Sequence, residues 1–149
     1  MADTAPPWHA ALPPPRTTAP LVERDEVLSA LSSPSLLLVD VRRTDFEGGT
    51  IRGSLNIPAQ SFYMNRGVLH RLCRQAGVKR VAFYCGSSNG RGPRCAGWFA
   101  DHLEEQGEEG IESLTLEGGI KGWVKAGEEY VREVDGYVAE YWKQFEKEK

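Results

Sequence analysis

The chain has 149 residues, with 18 basic and 21 acidic side chains; 40% of the residues are hydrophobic and 26% are charged. This composition is typical of a globular protein, and the length suits one domain with its own hydrophobic core. No apolar run approaches the ~18 residues of a membrane span, and the first 20 residues lack the apolar core of a secretory signal. We therefore expect no contact with a membrane.

The cysteine and histidine content indicates which cell compartment and which metal chemistry to expect. Three cysteines, an odd number, are atypical of a disulfide scaffold, and together with three histidines they show no paired metal-ligand spacing. We expect free thiols, no metal site, and a reducing compartment such as the cytoplasm or the nucleus.

The N-terminal segment differs in composition from the rest of the chain. Residues 1–20 contain six of the nine prolines and few apolar groups. This composition predicts a disordered Pro-rich tail, followed by a single domain over residues 21–149.

Hydrophobic periodicity predicts alternating helices and strands after this tail. The first elements are a helix over 22–31, a buried strand over 35–39, a short strand over 54–57, a helix over 61–76 that Gly77 ends, and a buried strand over 81–84. The later ones are a helix with Pro93 in its first turn, a strand over 111–116 and an amphipathic C-terminal helix over 130–145. The alternation indicates an α/β fold, a parallel sheet flanked by helices on both faces.

The charges are distributed unevenly along the chain. Residues 48–100 contain eight basic side chains and no Asp or Glu, while all 21 acids lie outside this segment. A positive field in one part of an acidic protein attracts anions, so we expect an anion site there. The sequence pI of about 5.7 and the lack of interleaved aromatic and basic residues make nucleic acid a poor candidate partner.

The segment 84–93 (YCGSSNGRGP) contains the candidate site. Cys85 follows a buried strand at its carboxyl end, where ligands bind in parallel sheets, and a predicted helix starts at Arg91. Small residues between them let backbone N–H groups converge, and such a nest at a helix N-terminus binds a tetrahedral oxyanion and stabilises a thiolate. We predict Cys85 as the nucleophile and Arg91 as a bidentate anion ligand. The predicted substrate-binding residues between them are Gly86, Ser87, Ser88, Asn89 and Gly90.

Four segments resemble successive landmarks of a rhodanese domain. They are 39–42 (VDVR), 47–56 (EGGTIRGSLN), the loop at Cys85 and 117–123 (EGGIKGW), and the resemblance covers roughly residues 35–126. Within this family, sulfurtransferases typically have a six-residue loop sized for a persulfide, whereas Cdc25-type phosphatases and the related eukaryotic arsenate reductases have seven residues. The loop from Cys85 to Arg91 has seven, so the chain resembles the second branch and, within it, small fungal single-domain members.

The resemblance implies a rhodanese-like fold and a cysteine-dependent phosphatase or arsenate reductase that forms a thiol-linked intermediate. A phosphate ester or arsenate would be the anionic substrate. No bound cofactor is implied, but arsenate reduction would need glutathione or glutaredoxin as reductant, with glutaredoxin as a partner. Two alternatives stay open: a sulfurtransferase that carries a persulfide on the same cysteine, and a non-catalytic rhodanese-like binding module.

The chain departs from the Cdc25 pattern at three positions. Tyr84 replaces the histidine that usually precedes the cysteine, Val41 replaces a second cysteine, and the loop has no glutamate. A general acid, if the reaction needs one, would therefore come from outside residues 48–100, where the nearest acids in sequence are Asp45, Glu47 and Asp101. The alternative is that water or a group of the substrate serves instead.

Other polar and thiol residues are given mainly structural roles. The resemblance implies that Asp40 and Arg42 order neighbouring loops. Cys95 lies on an apolar helix face, which favours core packing over a role as a resolving thiol, and the position of Cys73 is similarly uninformative. No partner is predicted for the histidines at positions 70 and 102.

Overall fold

The computed structural model describes residues 5–146, and its centre is a five-stranded, all-parallel sheet with the strand order β1-β6-β5-β2-β4. Its strands are β1 (Leu21–Val22), β2 (Leu36–Asp40), β4 (Ser54–Asn56), β5 (Arg80–Tyr84) and β6 (Glu112–Leu116). A separate antiparallel pair consists of β3 (Thr50–Ile51) and β7 (Val134–Asp135).

Seven helices complete the described part of the chain. They are α1 (Arg24–Ala30), α2 (Ala59–Phe62), α3 (Arg66–Ala76), α4 (Arg91–Glu105), α5 (Gly119–Lys125), α6 (Glu128–Val131) and α7 (Ala139–Lys143). Among residues 5–146, none of these helices has the length and apolar character needed to cross a membrane.

The sheet separates two hydrophobic clusters because side chains alternate between its faces. From β5, Val81 and Phe83 join the cluster that contains α2, α3 and α4. Ala82 and Tyr84 point to the opposite cluster, which contains residues of α1, α5, α6 and α7. This arrangement explains the continuous apolar composition of the central strands, and it confirms the predicted parallel sheet with helices on both faces.

Strand register brings the chemical motifs to one edge of the sheet. The last residues of β2 and β5, Asp40 and Tyr84, are paired in the parallel ladder. The segments that follow them, residues 41–49 and the loop at Cys85, therefore leave the sheet side by side at its carboxyl edge.

The predicted disordered tail is wrong for residues 5–20, and positions 1–4 lie outside the described residues. Trp98 of α4 donates from Nε1 to the carbonyl of Pro13 at 2.7 Å, and the Asp101 carboxylate accepts bonds from the Arg16 amide and the Thr17 hydroxyl. A Cβ on Gly97 would lie 2.6 Å from the carbonyl oxygen of Thr17, so a glycine is needed for this approach. Composition could not predict packing against a helix that lies 80 residues further along the chain.

The predicted C-terminal helix over 130–145 is also wrong. The segment divides into α6, β7 and α7, with Gly136 at φ +70° between the last two. Val134 pairs with Ile51 of β3, and the Trp142 indole donates to the carbonyl of Gly48 at 2.8 Å. The aromatic periodicity therefore belongs to three short elements, of which β7 and α7 contact the turn at residues 48–51.

The remaining elements agree with their predicted positions within a few residues. The predicted helix over 61–76 consists of α2, a 3₁₀ turn at Tyr63–Asn65 and α3. Gly77 ends α3 in the left-handed conformation, with φ +78°, as the glycine predicted.

Candidate active site

Cys85 lies directly between the end of β5 and the N-terminus of α4. Its side chain is buried, and its Sγ accepts a hydrogen bond of 3.3 Å from the backbone N–H of Gly92, in the first turn of α4. A Cβ on Gly92 would lie 3.3 Å from the backbone nitrogen of Cys85, so the helix approaches the cysteine closely. The sulfur therefore lies at the N-terminus of α4, where backbone N–H groups and a partial positive charge attract an anion.

α5 holds the first two carbonyl groups of residues 85–91, the predicted catalytic loop. The backbone N–H of Ile120 donates to the Cys85 carbonyl at 3.2 Å, and that of Lys121 donates to the Gly86 carbonyl at 2.9 Å. Gly119 has φ +61°, and a Cβ there would lie 2.5 Å from both carbonyl oxygens. The carbonyls of Cys85 and Gly86 are therefore bonded on the α5 side of the loop.

Sequence reasoning did not assign α5 to the site. The motif at residues 117–123 served only as a landmark of the resemblance. The signal that could have revealed its role is the pair Gly118–Gly119, because both residues adopt positive φ values, which favour glycine.

Ser88 supplies an unsatisfied polar group inside the catalytic loop. It has φ +60°, unusual for a residue with a side chain, and it is 6% exposed. Its Oγ has no hydrogen-bond partner. A buried hydroxyl without a partner is costly and is typical of a position where a ligand completes the bonding.

The other predicted loop residues lie around this hydroxyl. Gly86 and Ser87 are partly buried, whereas Asn89 and Gly90 are exposed at the edge of the loop. The carbonyl of Gly90 accepts the backbone N–H of Arg94 at 3.1 Å. The roles of these residues in substrate binding stay predictions.

Arg91 forms a bidentate ion pair that the sequence did not predict. Its Nη1 and Nη2 lie 2.8 and 2.7 Å from Oδ1 and Oδ2 of Asp45. The hydrogen bonds from Arg91 lower the pKa of Asp45 to about 2, so this carboxyl is ionised at neutral pH. Asp45 is thus a ligand of the arginine and is a poor proton donor while the pair is intact.

A buried ion pair positions the loop that carries Asp45. The Arg42 side chain is 1% exposed and pairs with the fully buried Asp40, with Nη2 and Oδ2 2.7 Å apart. Its remaining N–H groups donate to the carbonyls of Asp45, Glu47 and Gly49. The implied role of Asp40 and Arg42 in ordering neighbouring loops agrees with these contacts.

Tyr84, the departure from the usual histidine, has a structural role here. Its buried hydroxyl lies 2.9 Å from the Thr50 hydroxyl and 2.6 Å from the Ser54 hydroxyl, and it accepts the Ile51 N–H. Burial raises the pKa of Tyr84, so the phenol is neutral. The side chain points to the sheet face opposite α4 and supports the turn between β3 and β4.

None of the other thiols resembles Cys85. All three cysteines are free. Burial raises the pKa of Cys73 to about 11 and also raises that of Cys95, which has no exposed surface. Val41, where Cdc25 phosphatases have a second cysteine, is fully buried in the cluster that contains Cys85. The prediction that Cys95 packs in the core agrees with its burial.

Four of the eight basic side chains in the acid-free segment form ion pairs within the described part of the protein. Arg52, Arg74, Arg80 and Arg91 lie within 4 Å of Glu133, Glu108, Glu26 and Asp45, respectively. Of the acids considered as proton donors, Asp101 binds the N-terminal segment and Glu47 is exposed. Half of the basic side chains in this segment are therefore paired with carboxylates, and one of the four, Arg91, lies in the loop predicted to bind the anion.

The histidines at positions 70 and 102 do have neighbours. His70 Nε2 lies 2.8 Å from Glu108 Oε1, and the His102 ring packs edge-on against His70 with centroids 5.3 Å apart. Both line an open groove of about 540 Å³ between α3 and α4, together with Arg71 and Arg74. Among residues 5–146, no group of three or more His, Cys, Asp or Glu side chains is arranged to hold a metal ion.

Comparison with known proteins agrees with this geometry. The family described as "Rhodanese-like domain" matches residues 23–126. Arsenate reductase 2.1 of Oryza sativa subsp. japonica is 36% identical over 110 residues, which cover 71% of this chain and 67% of the relative. The dual specificity phosphatase Cdc25 of Arabidopsis thaliana is 31% identical over 102 residues, or 66% and 68% of the two chains.

A solved structure supports the same fold. A Saccharomyces cerevisiae homolog of single-domain rhodanese and of the Cdc25 phosphatase catalytic domain matches with a TM-score of 0.70 and 23% identity, over 84% of this chain and 92% of that one. At this identity the likeness concerns the fold alone.

Proposed function

The chain belongs to the rhodanese-like domain family, and from this premise we propose that it is a cysteine-dependent enzyme whose Cys85 thiolate attacks a tetrahedral oxyanion, arsenate or a phosphate monoester. The observation that carries this proposal is the loop itself. It joins a sulfur at a helix N-terminus, carbonyls turned toward α5 and an unpartnered buried hydroxyl on Ser88. Arsenate reductase and Cdc25 phosphatase relatives above 30% identity favour the same chemistry.

With arsenate, the first step forms an Sγ–As bond and releases one arsenate oxygen as water. A second thiol, such as that of glutathione, then attacks the Cys85 sulfur. The new S–S bond takes the place of the S–As bond, the electron pair of that bond stays on arsenic, and arsenite leaves as As(V) becomes As(III). The reductant must come from outside, since Cys73 and Cys95 are buried thiols with raised pKa values. Glutaredoxin is the proposed partner that reduces the mixed disulfide.

With a phosphate monoester, the Sγ–P bond replaces the ester P–O bond and the alcohol leaves. Water then hydrolyses the thiophosphate and releases phosphate, so no external thiol is consumed. Both reactions use the same donors, and the need for a reductant separates them. The three free thiols are compatible with a reducing compartment, and we propose the cytoplasm or the nucleus.

The test measures both reactions on the same preparation. One assay follows p-nitrophenyl phosphate hydrolysis, and the other couples arsenate reduction to NADPH oxidation through glutathione, glutaredoxin and glutathione reductase. We expect turnover in at least one assay that Cys85→Ser lowers on the order of 10³-fold or more, because the nucleophile is lost. Cys73→Ala, which changes a buried thiol of α3, serves as the matched control and retains activity.

Two outcomes would contradict the proposal. Equal turnover by the wild-type protein and Cys85→Ser would show that the loop does not perform the chemistry. A mass increase of about 32 Da on Cys85 after incubation with thiosulfate, without activity in either assay, would instead support the sulfurtransferase alternative.

A further inference from the structure

The Asp45–Arg91 pair lies where an oxyanion would bind, so Asp45 can influence which substrate the loop accepts. Arg91 ends the catalytic loop, so an anion bound in the loop contacts the same guanidinium that Asp45 contacts. Asp45 Oδ2 also lies 4.0 Å from the position of a Cβ on Gly86, the residue after Cys85. The carboxylate therefore borders the loop that would hold the anion.

The guanidinium can hold both groups at once. Arginine has five N–H donors, of which Asp45 accepts two at 2.7–2.8 Å, so three remain for a bound anion. The Arg91 side chain is 26% exposed and that of Asp45 is 40% exposed, which leaves access to the pair from solvent. A bound oxyanion would then have a carboxylate as its neighbour.

Asp45 is held in this position by residues of its own loop. The guanidinium of Arg42 donates to its backbone carbonyl, and the backbone N–H of Arg43 donates to Oδ1 at 3.3 Å. Other charged or titratable groups face this region from α5 and α7. They are Lys121, whose Cε lies 3.7 Å from the Cβ position on Gly86, and Tyr141, whose pKa the charges of Asp45 and Glu47 help to raise. The carboxylate is thus anchored at the backbone and cannot leave the loop without breaking these contacts.

We propose that Asp45 is a specificity residue of the catalytic loop, and that it selects oxyanions that keep a hydrogen on an oxygen over those that are fully ionised. An O–H on the anion can donate a hydrogen bond to the Asp45 carboxylate. A fully ionised oxygen is instead repelled by that carboxylate, because both are negatively charged and both contact the Arg91 guanidinium. The inference rests on the proposed function, because it concerns the anion in the same loop.

The selection distinguishes between the two proposed substrates. A phosphate monoester has a second pKa of about 6 and loses its last hydrogen near neutral pH. Arsenate and inorganic phosphate are triprotic acids and still carry at least one hydrogen at that pH. Asp45 therefore favours arsenate over phosphate monoesters at neutral pH, and it admits monoesters better in mildly acidic solution.

The test uses inorganic phosphate and sulfate as probes, because they are similar in size and shape but sulfate carries no hydrogen near neutral pH. The rate at which iodoacetamide alkylates Cys85 is measured by peptide mass spectrometry with increasing anion concentration. Peptides with Cys73 and Cys95, both buried, serve as internal references. In the wild-type protein we expect phosphate to protect Cys85 about tenfold more effectively than sulfate.

Asp45→Asn removes the charge but keeps the size of the side chain, and we expect it to bring sulfate protection to within about twofold of phosphate protection. Glu47→Gln is the matched control, because it removes one exposed negative charge from the same loop without touching Arg91. This variant should keep the wild-type preference for phosphate.

The possible failures are distinguishable. If neither anion slows alkylation in any variant, the loop is not an oxyanion site, and the proposed function falls together with this inference. If both anions protect the wild-type protein equally, the oxyanion site stands and the role of Asp45 is refuted. If Asp45→Asn loses protection by both anions, Asp45 only positions Arg91, and selection by charge is refuted.

Discussion

The two ends of helix α4 both place ionisable side chains beside open space, but only one end has the features of a reactive site. At the N-terminus, the sulfur of Cys85 accepts a backbone N–H, and Arg91 pairs with Asp45. Eleven residues further along α4, about 16 Å along the helix axis, His102 lines the groove between α3 and α4 with His70.

The electrostatic character of the two ends explains the difference. The N-terminus of a helix offers unpaired N–H groups and a partial positive charge, which attract an anion and favour a thiolate. The groove lies at the opposite end, and Cys73, which precedes the groove residue Arg74 in α3, is buried with a pKa raised to about 11. Charged side chains and an open groove are therefore insufficient for reactivity without backbone donors aimed at a nucleophile.

Replacement of Arg91, at the N-terminus of α4, and of Arg74, in the groove, by lysine should have very different effects on kcat/KM. Arg91→Lys keeps the charge but loses the bidentate fork, so we expect kcat/KM in the more active assay to fall about 10²-fold. Arg74→Lys, in the groove, should leave kcat/KM within about twofold of the wild-type value, because its contact with Glu108 is long and exposed. A loss in Arg74→Lys as large as that in Arg91→Lys would mean that the groove takes part in the reaction.

Two glycines with positive φ provide a comparison of stability. In Gly119→Ala, the new Cβ would meet the carbonyls of Cys85 and Gly86 as well as backbone strain, and we expect a loss of about 3 kcal/mol or more in the free energy of unfolding. In Gly77→Ala, at the end of α3, no atom lies within 4 Å of the new Cβ. Only the φ cost of about 1 kcal/mol remains there.

Urea denaturation of both variants measures these losses. Gly119→Ala should also lose catalytic activity at temperatures where it stays folded, because the loop carbonyls are displaced. Equal losses of stability in the two variants would show that contact between α5 and the catalytic loop adds little to the cost of positive φ.

The smallest expected effect concerns pH. Asp45, near the N-terminus of α4, and His102, near its C-terminus, should change the free energy of unfolding over different pH ranges. The pKa of Asp45 is lowered from 3.8 to about 2, so its pairing stabilises the fold above about pH 4 and is lost as pH falls toward 2. Burial, His70 and Arg66 lower the pKa of His102 from 6.5. Below pH 6.5 the unfolded state therefore takes up more protons at His102 than the folded state does, and stability falls.

Measuring the free energy of unfolding between about pH 2 and 8 separates the contributions of Asp45 and His102. Asp45→Asn should flatten the profile only below about pH 4, and His102→Gln only below about pH 6.5, with most of its effect in the first units of acidification. Profiles of both variants parallel to the wild-type profile would contradict the pairings described for Asp45 and His102.

The sequence was sufficient to predict features that depend on adjacent residues. The apolar run before Cys85, the small residues after it and the helix at Arg91 all lie within a dozen positions, and the structure places them as predicted. Gly77 was equally predictable as the end of α3, because the left-handed conformation is a local property of the backbone.

Features that depend on distant residues were missed or predicted wrongly. The Asp45–Arg91 pair joins positions 46 residues apart, and the carbonyl of Gly48 meets Trp142 across 94 residues. The aromatic spacing of residues 130–145 is compatible with one helix, but in the structure Val134 pairs with β3 as a strand residue and interrupts that helix. Proline content likewise predicted a disordered tail. In the structure the segment around Thr17 packs on α4, because Gly97 has no side chain to block this approach.

By itself, the sequence determined the family resemblance, the alternation of strands and helices between residues 22 and 116, and the small-residue loop between Cys85 and Arg91, because these follow from local backbone preferences and hydrophobic periodicity. Tertiary structure alone decided that Asp45 pairs with Arg91, that α5 holds the carbonyls of Cys85 and Gly86, and that Pro13 and Trp142 contact distant parts of the domain. These contacts depend on which surfaces the parallel sheet brings together, and that juxtaposition has no signature in neighbouring residues.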